Sequence, residues 1–232
     1  MAIGDCIELE AGAARHLTSA LRMSPGQVIT LFNGHGGEYT AELLEAKKGK
    51  AKVSITNFDQ VSRESSLSIH LAIGISRGER MDWIMQKATE LGVSEITPLF
   101  TERCEVKLSG DRLEKKVGHW QQVAISACEQ SQRNTVPLVN NPKKLEQWQA
   151  SCDASLKLVL HHRTESNLAD TPRPSAEVAL LIGPEGGLSE REIEQAIVLN
   201  FRPLALGPRV LRTETAPLAA IAILQSLWGD MG

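Results

Sequence analysis

The chain has few residues that could build a covalent framework or a metal centre. Its four cysteines, at positions 6, 104, 128 and 152, form no Cys-x-x-Cys pair and have no histidine at zinc-finger spacing. Cysteines in this arrangement are typical of reduced, buried thiols in an intracellular protein. We therefore expect no disulfide and no metal site.

The chain also lacks the features of an export signal and of a membrane span. Residues 1–6 contain neither a basic start nor an apolar stretch, as a signal peptide would require. The longest apolar run, residues 216–224, is interrupted by Pro217 and is far shorter than the ~20 residues that cross a bilayer. We expect a cytoplasmic protein that does not enter a membrane.

No excess of positive charge points to a polyanionic partner. Lys and Arg number 25 against 28 Asp and Glu, for a net charge of −3, so any nucleic-acid site must be local. Several catalytic signatures are also missing, namely the Walker loop, the early dinucleotide fingerprint and the Gly-x-Ser-x-Gly elbow. Phosphate cradling and serine nucleophile chemistry are therefore not indicated.

The first seventy residues carry the pattern of a small β-domain. Three apolar stretches are separated by Gly-His-Gly-Gly at residues 34–37 and Lys-Lys-Gly at residues 47–49, which predicts antiparallel hairpins. The stretches are residues 27–33, 38–46 and 50–57. With a strand at residues 6–9 and a short helix near residues 13–21, they predict a small β-barrel. The polar stretch 60–66 places a domain boundary there.

From Leu67 onward, short apolar runs alternate with amphipathic segments. The runs are nearly continuous in apolar residues, as strands covered on both faces are; they lie at residues 67–75, 96–100, 156–160, 178–182 and 203–206. Helical spacing of apolar residues follows near residues 81–91 and 111–130, and Ser189 with Glu192 forms a capping box. The pattern predicts an α/β domain with a parallel sheet, whose last helix opens near Thr215.

Three loops follow the late strands, at residues 161–163, 183–187 and 207–215. Because the carboxyl ends of parallel strands meet at one edge of a sheet, we expect these loops to lie side by side and to bind a ligand. Three glycines within residues 183–187 allow a backbone to approach a small polar ligand closely. The alternative is that this loop is simply a tight strand-to-helix turn.

Two linked motifs in these loops resemble the paired signature of bacterial ribosomal RNA uridine-N3 methyltransferases of the SPOUT, or trefoil-knot, class. They read Leu-Ile-Gly-Pro-Glu-Gly-Gly-Leu-Ser at residues 181–189 and Leu-Gly-Pro-Arg-Val-Leu-Arg-Thr-Glu-Thr-Ala at residues 206–216. Residues 86–93, Arg103-Cys104 and residues 129–133 are also similar to that family. The resemblance implies an RNA-binding PUA-like barrel at residues 1–64, lacking its first strand, a knotted methyltransferase domain at residues 67–232, and a homodimer.

The resemblance implies S-adenosylmethionine as the cofactor, and this molecule needs apolar walls and backbone amides rather than a phosphate cradle. The residues expected to contact it are Leu160, His161, Ile182, Gly183, Pro184, Gly186, Gly187, Leu206, Gly207, Leu211, Thr213 and Ala216.

The expected acceptor is N3 of a uridine in small-subunit ribosomal RNA, within the assembled or nearly assembled subunit. Loss of the N3 proton leaves negative charge on O2 and O4, so the reaction needs a cation to stabilise this charge and a group to accept the proton. Arg212 is the candidate cation, and Glu214 or Glu185 is the candidate acceptor or orienting group. Their alternative role is a structural ion pair or a helix cap.

Four further cations stand in family-like motifs and are expected to contact RNA, namely Arg77, Lys87, Arg103 and Arg133. Their alternative role is a solvated helix face. Two other functions stay open from the sequence. One is a related SPOUT enzyme that methylates a ribose 2′-oxygen or a transfer RNA, and the other is a non-catalytic RNA-binding assembly factor.

Overall fold

A computed structural model describes residues 1–161, 164, 168 and 171–232. The contacts between residues divide the chain into two compact units. The first comprises Met1–Glu64 and Gln132–Thr135, and the second comprises Ser65–Ser131 and Val136–Gly232. Among the described residues, no helix combines the length and the apolar character needed to cross a membrane.

The first unit is built around an antiparallel sheet. Its strands are β1 (Cys6–Glu8), β2 (Val28–Leu31), β3 (Glu38–Lys47) and β4 (Lys50–Asp59), paired in the order β1-β4-β3-β2. Val53 and Ile55 are buried, whereas the intervening side chains are not, because successive side chains of a strand point to opposite faces. The predicted antiparallel hairpins are confirmed. Helix α1 (Ala11–Arg15) and the wider turn His16–Ala20 cover this core with Ala14 and Leu17.

A short segment from far along the chain completes the first unit. Asn134 Nδ2 donates to the carbonyl oxygen of Val61 at 2.7 Å, and His35 forms a β-bridge with Thr135. Arg133 is 5% exposed and pairs with Glu64. Sequence reasoning gave the first domain as the continuous run 1–64, since a four-residue excursion has no periodicity that could reveal it.

The second unit is a parallel sheet with helices on both faces. Its strands are β5 (Ile69–Gly74), β6 (Glu95–Phe100), β7 (Leu138–Val139), β8 (Lys143–Lys144), β9 (Leu156–Leu160), β10 (Val178–Ile182) and β11 (Arg202–Leu204). Their order is β11-β9-β10-β5-β6-β7, with β8 also paired to β6, and these pairings are all parallel. The predicted parallel α/β sheet is confirmed, and the two-residue strands β7 and β8 are additions that no sequence pattern indicated.

The helices of this unit are α2 (Glu79–Glu90), α3 (Gly110–Ser131), α4 (Leu145–Ser151), α5 (Glu190–Val198) and α6 (Ala216–Trp228). Strand β10 shows why the sheet strands are apolar throughout. Leu180 and Ile182 pack in a core with residues of α2, α3 and α6, and Ala179 and Leu181 pack in another with residues of α4 and α5. Because both faces of the strand are buried, alternation disappears from its sequence. The trefoil knot and the homodimer stay predictions.

Candidate functional site

A cavity of about 350 Å³ lies at the carboxyl ends of β9, β10 and β11. Its volume is at the lower end of the range of roughly 300–1,000 Å³ that is usual for small-molecule sites. The wall combines leucine and isoleucine side chains with the backbone of the loops that follow β10 and β11. His162 and Arg163, from the predicted loop after β9, lie outside the described residues.

The structure brings all twelve residues expected to hold the cofactor to this one cavity. They are Leu160, His161, Ile182, Gly183, Pro184, Gly186, Gly187, Leu206, Gly207, Leu211, Thr213 and Ala216. Glu185 lines the cavity too. Sequence reasoning did not assign several further lining residues to it, namely Arg103, Leu188, Glu190, Ile193, Leu204, Arg209 and Val210.

The loop of residues 183–187 needs its glycines for its own shape. An ideal Cβ on Gly183 would lie 2.6 Å from the nitrogen of Leu188, because the loop doubles back on itself there. Gly187 has a φ of +68°, a conformation that L side chains rarely adopt, and its N–H donates to the carbonyl oxygen of Pro184 at 2.8 Å. The tight turn and the ligand wall are therefore the same piece of backbone.

Two features outside the loop fix its position. A Cβ on Gly74, the last residue of β5, would lie 2.4 Å from the ring of Pro184, so the loop packs directly on the end of that strand. On the other side, Ser189 and Glu192 form the predicted capping box, with Ser189 N donating to Glu192 Oε2 at 2.8 Å and Glu192 N donating to Ser189 Oγ at 3.2 Å. The predicted start of α5 is confirmed.

Arg103 contacts the same loop. Its Nη1 donates to the carbonyl oxygens of Gly186 at 3.0 Å and of Leu188 at 3.2 Å. The structure thus places Arg103, a residue expected to contact RNA, in the wall of the cavity.

The two candidate glutamates are joined by a cation that the sequence did not single out. Arg80 Nη1 donates to Glu185 Oε1 at 3.0 Å, and Arg80 Nε lies 3.8 Å from Glu214 Oε2. The backbone N–H of Arg77 also donates to Glu185 Oε1, at 2.9 Å. Arg80 follows β5, which neighbours β10 in the sheet. The strand order would have pointed to it, but that order is not visible in the sequence.

Glu185 is held in its ionised form. Partial burial on its own raises the pKa of the Glu185 carboxyl, but the hydrogen bonds from the Arg77 N–H and the Arg80 guanidinium outweigh this effect, so the pKa lies below its ordinary value. A carboxylate with a lowered pKa is a weak base near neutral pH. The geometry suits Glu185 to an orienting role better than to accepting a proton.

Arg212 lies between Leu211 and Thr213, which both line the cavity, while its own side chain is exposed. Its carbonyl oxygen accepts hydrogen bonds from the N–H groups of Thr215 and Ala216, each at 2.9 Å. The backbone of Arg212 is therefore fixed at the start of α6. Its guanidinium forms no hydrogen bond or ion pair with the described part of the chain, so it is free to meet a substrate.

The other three residues expected to contact RNA each pair with a carboxylate of their own unit. Arg77 is exposed and pairs with Glu105. Lys87 donates to Glu90 at 2.8 Å and lies 5.2 Å from the centre of the Trp83 ring. Arg133 is buried in the first unit.

Comparisons with known proteins agree with this geometry. The model of a family described as an RNA methyltransferase domain matches residues 63–225, and that of an RNA methyltransferase PUA domain matches residues 9–56. Ribosomal RNA small subunit methyltransferase E from Buchnera aphidicola subsp. Schizaphis graminum is 37% identical over 99% of this chain and 94% of its own length. The protein of the same name from Bacillus subtilis is 33% identical over 90% of this chain and 85% of its own length.

Two solved structures are similar over the whole chain. A ribosomal RNA small subunit methyltransferase E from Neisseria gonorrhoeae, bound to S-adenosylmethionine, is 41% identical with a TM-score of 0.93, covering 100% of this chain and 96% of that one. A protein from Legionella pneumophila, also in complex with S-adenosylmethionine, is 46% identical with a TM-score of 0.96, covering 99% of this chain and 95% of that one.

Proposed function

The chain belongs to the family of bacterial ribosomal RNA small subunit methyltransferases E, and we propose that it transfers a methyl group from S-adenosylmethionine to N3 of a uridine in small-subunit (16S) ribosomal RNA. The observation that carries this proposal is the cavity at the carboxyl ends of β9 to β11, with the exposed Arg212 between two of its lining residues.

The residues of the cavity fit S-adenosylmethionine. Apolar side chains such as Leu160, Ile182 and Leu206 line it beside the glycine backbone at residues 183–187, and these suit an adenine ring and an unphosphorylated amino-acid chain. When bound, this cofactor supplies a methyl group already activated on a sulfonium. The protein then has to position the acceptor and stabilise developing charge, so no covalent enzyme intermediate is required.

Arg212 is suited to the acceptor half of the reaction. As the uridine loses its N3 proton, negative charge grows on O2 and O4, and a positioned guanidinium can donate hydrogen bonds to these oxygens. The exposed side chain of Arg212 is held on a fixed backbone at the start of α6. A base buried in a duplex cannot reach such a group, so the target uridine is expected to be turned out of its helix.

The contacts of Glu185 and Glu214 with Arg80 suit the two glutamates to different roles. Glu185 accepts from two donors and has a lowered pKa, which favours an orienting role. Glu214 is the candidate for the proton acceptor, since its contact with Arg80 is the longer one, at 3.8 Å. Arg77 and Lys87 remain the candidates for RNA contacts on the second unit.

The test is to incubate the protein with methyl-labelled S-adenosylmethionine and unmodified small ribosomal subunits, digest the RNA, and identify the labelled nucleoside by mass spectrometry. Labelled 3-methyluridine is expected. A parallel reaction with protein-free RNA asks whether the assembled subunit is required. Label in a ribose methyl group would favour a 2′-oxygen enzyme, and cofactor binding without transfer to any RNA would contradict the proposal.

A further inference from the structure

Arg103 lies directly across the glycine loop of the cavity. An ideal Cβ on Gly186 would come within 3.1 Å of the Arg103 Cβ and 3.5 Å of its Cδ, so the aliphatic part of Arg103 fills the space that a side chain at position 186 would take. Its guanidinium continues past this contact to the carbonyl oxygens of Gly186 and Leu188. One side chain thus touches the loop through both its apolar and its charged part.

The turn that presents Arg103 is anchored on both sides. The N–H of Glu102 donates to Glu192 Oε1 at 2.8 Å, and Glu192 is itself 5% exposed. On the other side, Cys104 Sγ donates to the carbonyl oxygen of Ile75 at 3.5 Å, and Cys104 N donates to the carbonyl oxygen of Thr101 at 3.1 Å. Because Glu102 and Cys104 are both held by hydrogen bonds to other elements, the backbone of Arg103 between them is fixed in position.

These contacts determine which way the loop peptides face. The carbonyl of Gly186 accepts from Arg103, and the N–H of the same peptide, on Gly187, donates to Pro184 O. The carbonyl of Leu188 likewise accepts from Arg103, and the N–H of that peptide, on Ser189, donates to Glu192. An ideal Cβ on Gly187 meets nothing within 4 Å. Arg103 therefore covers one side of the loop, and Gly187 borders open space in the cavity.

We propose that Arg103 is a positioning residue for the cofactor site, which holds residues 186–188 in the shape that S-adenosylmethionine binds. This inference rests on the proposed function. It differs from the RNA-contact role that the sequence resemblance implies for Arg103, because Nη1 of the guanidinium already donates to two loop carbonyls. A planar guanidinium serves two acceptors at fixed angles, and a lysine ammonium does so less well.

The test is to measure S-adenosylmethionine affinity by calorimetry, and RNA affinity without cofactor, for Arg103→Ala and Arg103→Lys. Hydrogen bonds from a charged donor stabilise a structure more than neutral ones do. Loss of the two bonds in Arg103→Ala is therefore expected to weaken cofactor binding about tenfold or more. Arg103→Lys should recover part of this loss. In steady state, Arg103→Ala should raise KM for the cofactor while kcat at saturating cofactor stays within about twofold, as loss of ground-state binding does.

Arg112→Ala is the matched control, since the Arg112 side chain is exposed on α3 and forms no hydrogen bond or ion pair with any described residue. It should change none of these values. Unchanged cofactor affinity in a folded Arg103→Ala protein would overturn the inference, and weakened RNA binding in the same variant would assign Arg103 to the RNA instead. If Arg103→Ala does not fold in a melting assay, the Arg103→Lys affinity decides, and equality with the wild type would overturn the inference. Failure of the proposed function looks different, because the wild-type protein itself would then form no 3-methyluridine in small-subunit RNA, whatever the cofactor affinities of the Arg103 variants.

Discussion

The two ends of the parallel sheet handle polar groups in opposite ways. At the amino ends of the strands, His70, Glu95 and Glu177 lie close together, and side chains satisfy one another. His70 Nε2 and Thr97 Oγ1 are 2.8 Å apart, and Asn140 bonds both Thr97 and Glu95. At the carboxyl ends, side chains such as Arg80 and Arg103 also have partners, but the glycine loop borders a cavity with its backbone and the side chain of Arg212 stays exposed.

The difference separates a stabilising role from a binding role. Glu95 approaches Nε2 of His70 at 3.8 Å and Glu177 approaches Nδ1 at 3.9 Å, so the carboxylates flank the ring on different nitrogens. Burial lowers the pKa of His70, with nearby Lys143 acting in the same direction and Glu95 opposing it. The amino end is a closed network of side chains, whereas the carboxyl end has a cavity lined in part by loop backbone, with the exposed side chain of Arg212 next to two of its lining residues.

The largest expected effect is a loss of cofactor affinity caused by a substitution at the carboxyl end of the sheet. In Gly183→Ala, the new Cβ would lie 2.6 Å from backbone at Leu188, and overpacking of this kind costs about 1–3 kcal/mol. We expect cofactor affinity to fall by roughly tenfold to 100-fold, measured by calorimetry. The control Gly118→Ala adds a Cβ on α3 with nothing within 4 Å and should leave affinity intact. Unchanged affinity in a folded Gly183→Ala protein would refute the assigned site.

The next largest effect is expected on methyl transfer alone, with no change in cofactor binding, for a substitution of Arg212 at the carboxyl end. Arg212→Ala should leave cofactor affinity unchanged, because the Arg212 side chain does not line the cavity. Single-turnover methylation of small subunits should fall about 100-fold, as when a donor to a developing oxyanion is removed. Arg212→Lys, which keeps the charge without the planar fork, should fall less. Full methylation by Arg212→Ala would remove this residue from the mechanism.

Much of the second unit follows from the sequence, but the partners of its loops do not. Continuous apolar runs predicted the five longer strands, and Ser189 with Glu192 predicted the start of α5. Local patterns could do this because strand burial and helix capping depend on neighbouring residues. Gly74 packs on Pro184, and Arg80 joins Glu185 to Glu214. These contacts depend on the strand order β10-β5, which a local pattern does not encode.

A smaller effect concerns the pH dependence of the carboxyl end. Because the pKa of Glu185 is lowered, its carboxylate is ionised at neutral pH and stabilises the fold above about pH 4, and this contribution is lost as the pH falls further. In Glu185→Gln, methylation should fall several-fold as orientation loosens. Any limb of the pH–rate profile between pH 6 and 8 should persist. Disappearance of that limb would instead identify Glu185 as the proton acceptor.

The smallest effect concerns the amino end. Burial, and then the charge of Glu95, raise the pKa of Glu177, so the folded state gains stability as the pH falls through this raised pKa and loses it as the pH rises. Glu177→Gln should therefore raise Tm by a degree or two at pH 7, of the order expected from relieving one like-charge pair. The gain should shrink toward pH 5. Cofactor affinity should not change. A marked loss of affinity would contradict the assignment of a purely stabilising role to the amino end.

Hydrogen–deuterium exchange of the wild-type protein, with and without S-adenosylmethionine, tests the central claim most directly. The account predicts that the cofactor slows exchange in residues 183–188 and 206–213 at the carboxyl ends of the strands. It predicts no change at residues 68–70, 95–97 and 177–178 at the amino ends. Protection at the amino ends, with none in the two carboxyl-end loops, would contradict the assignment of the cavity as the cofactor site.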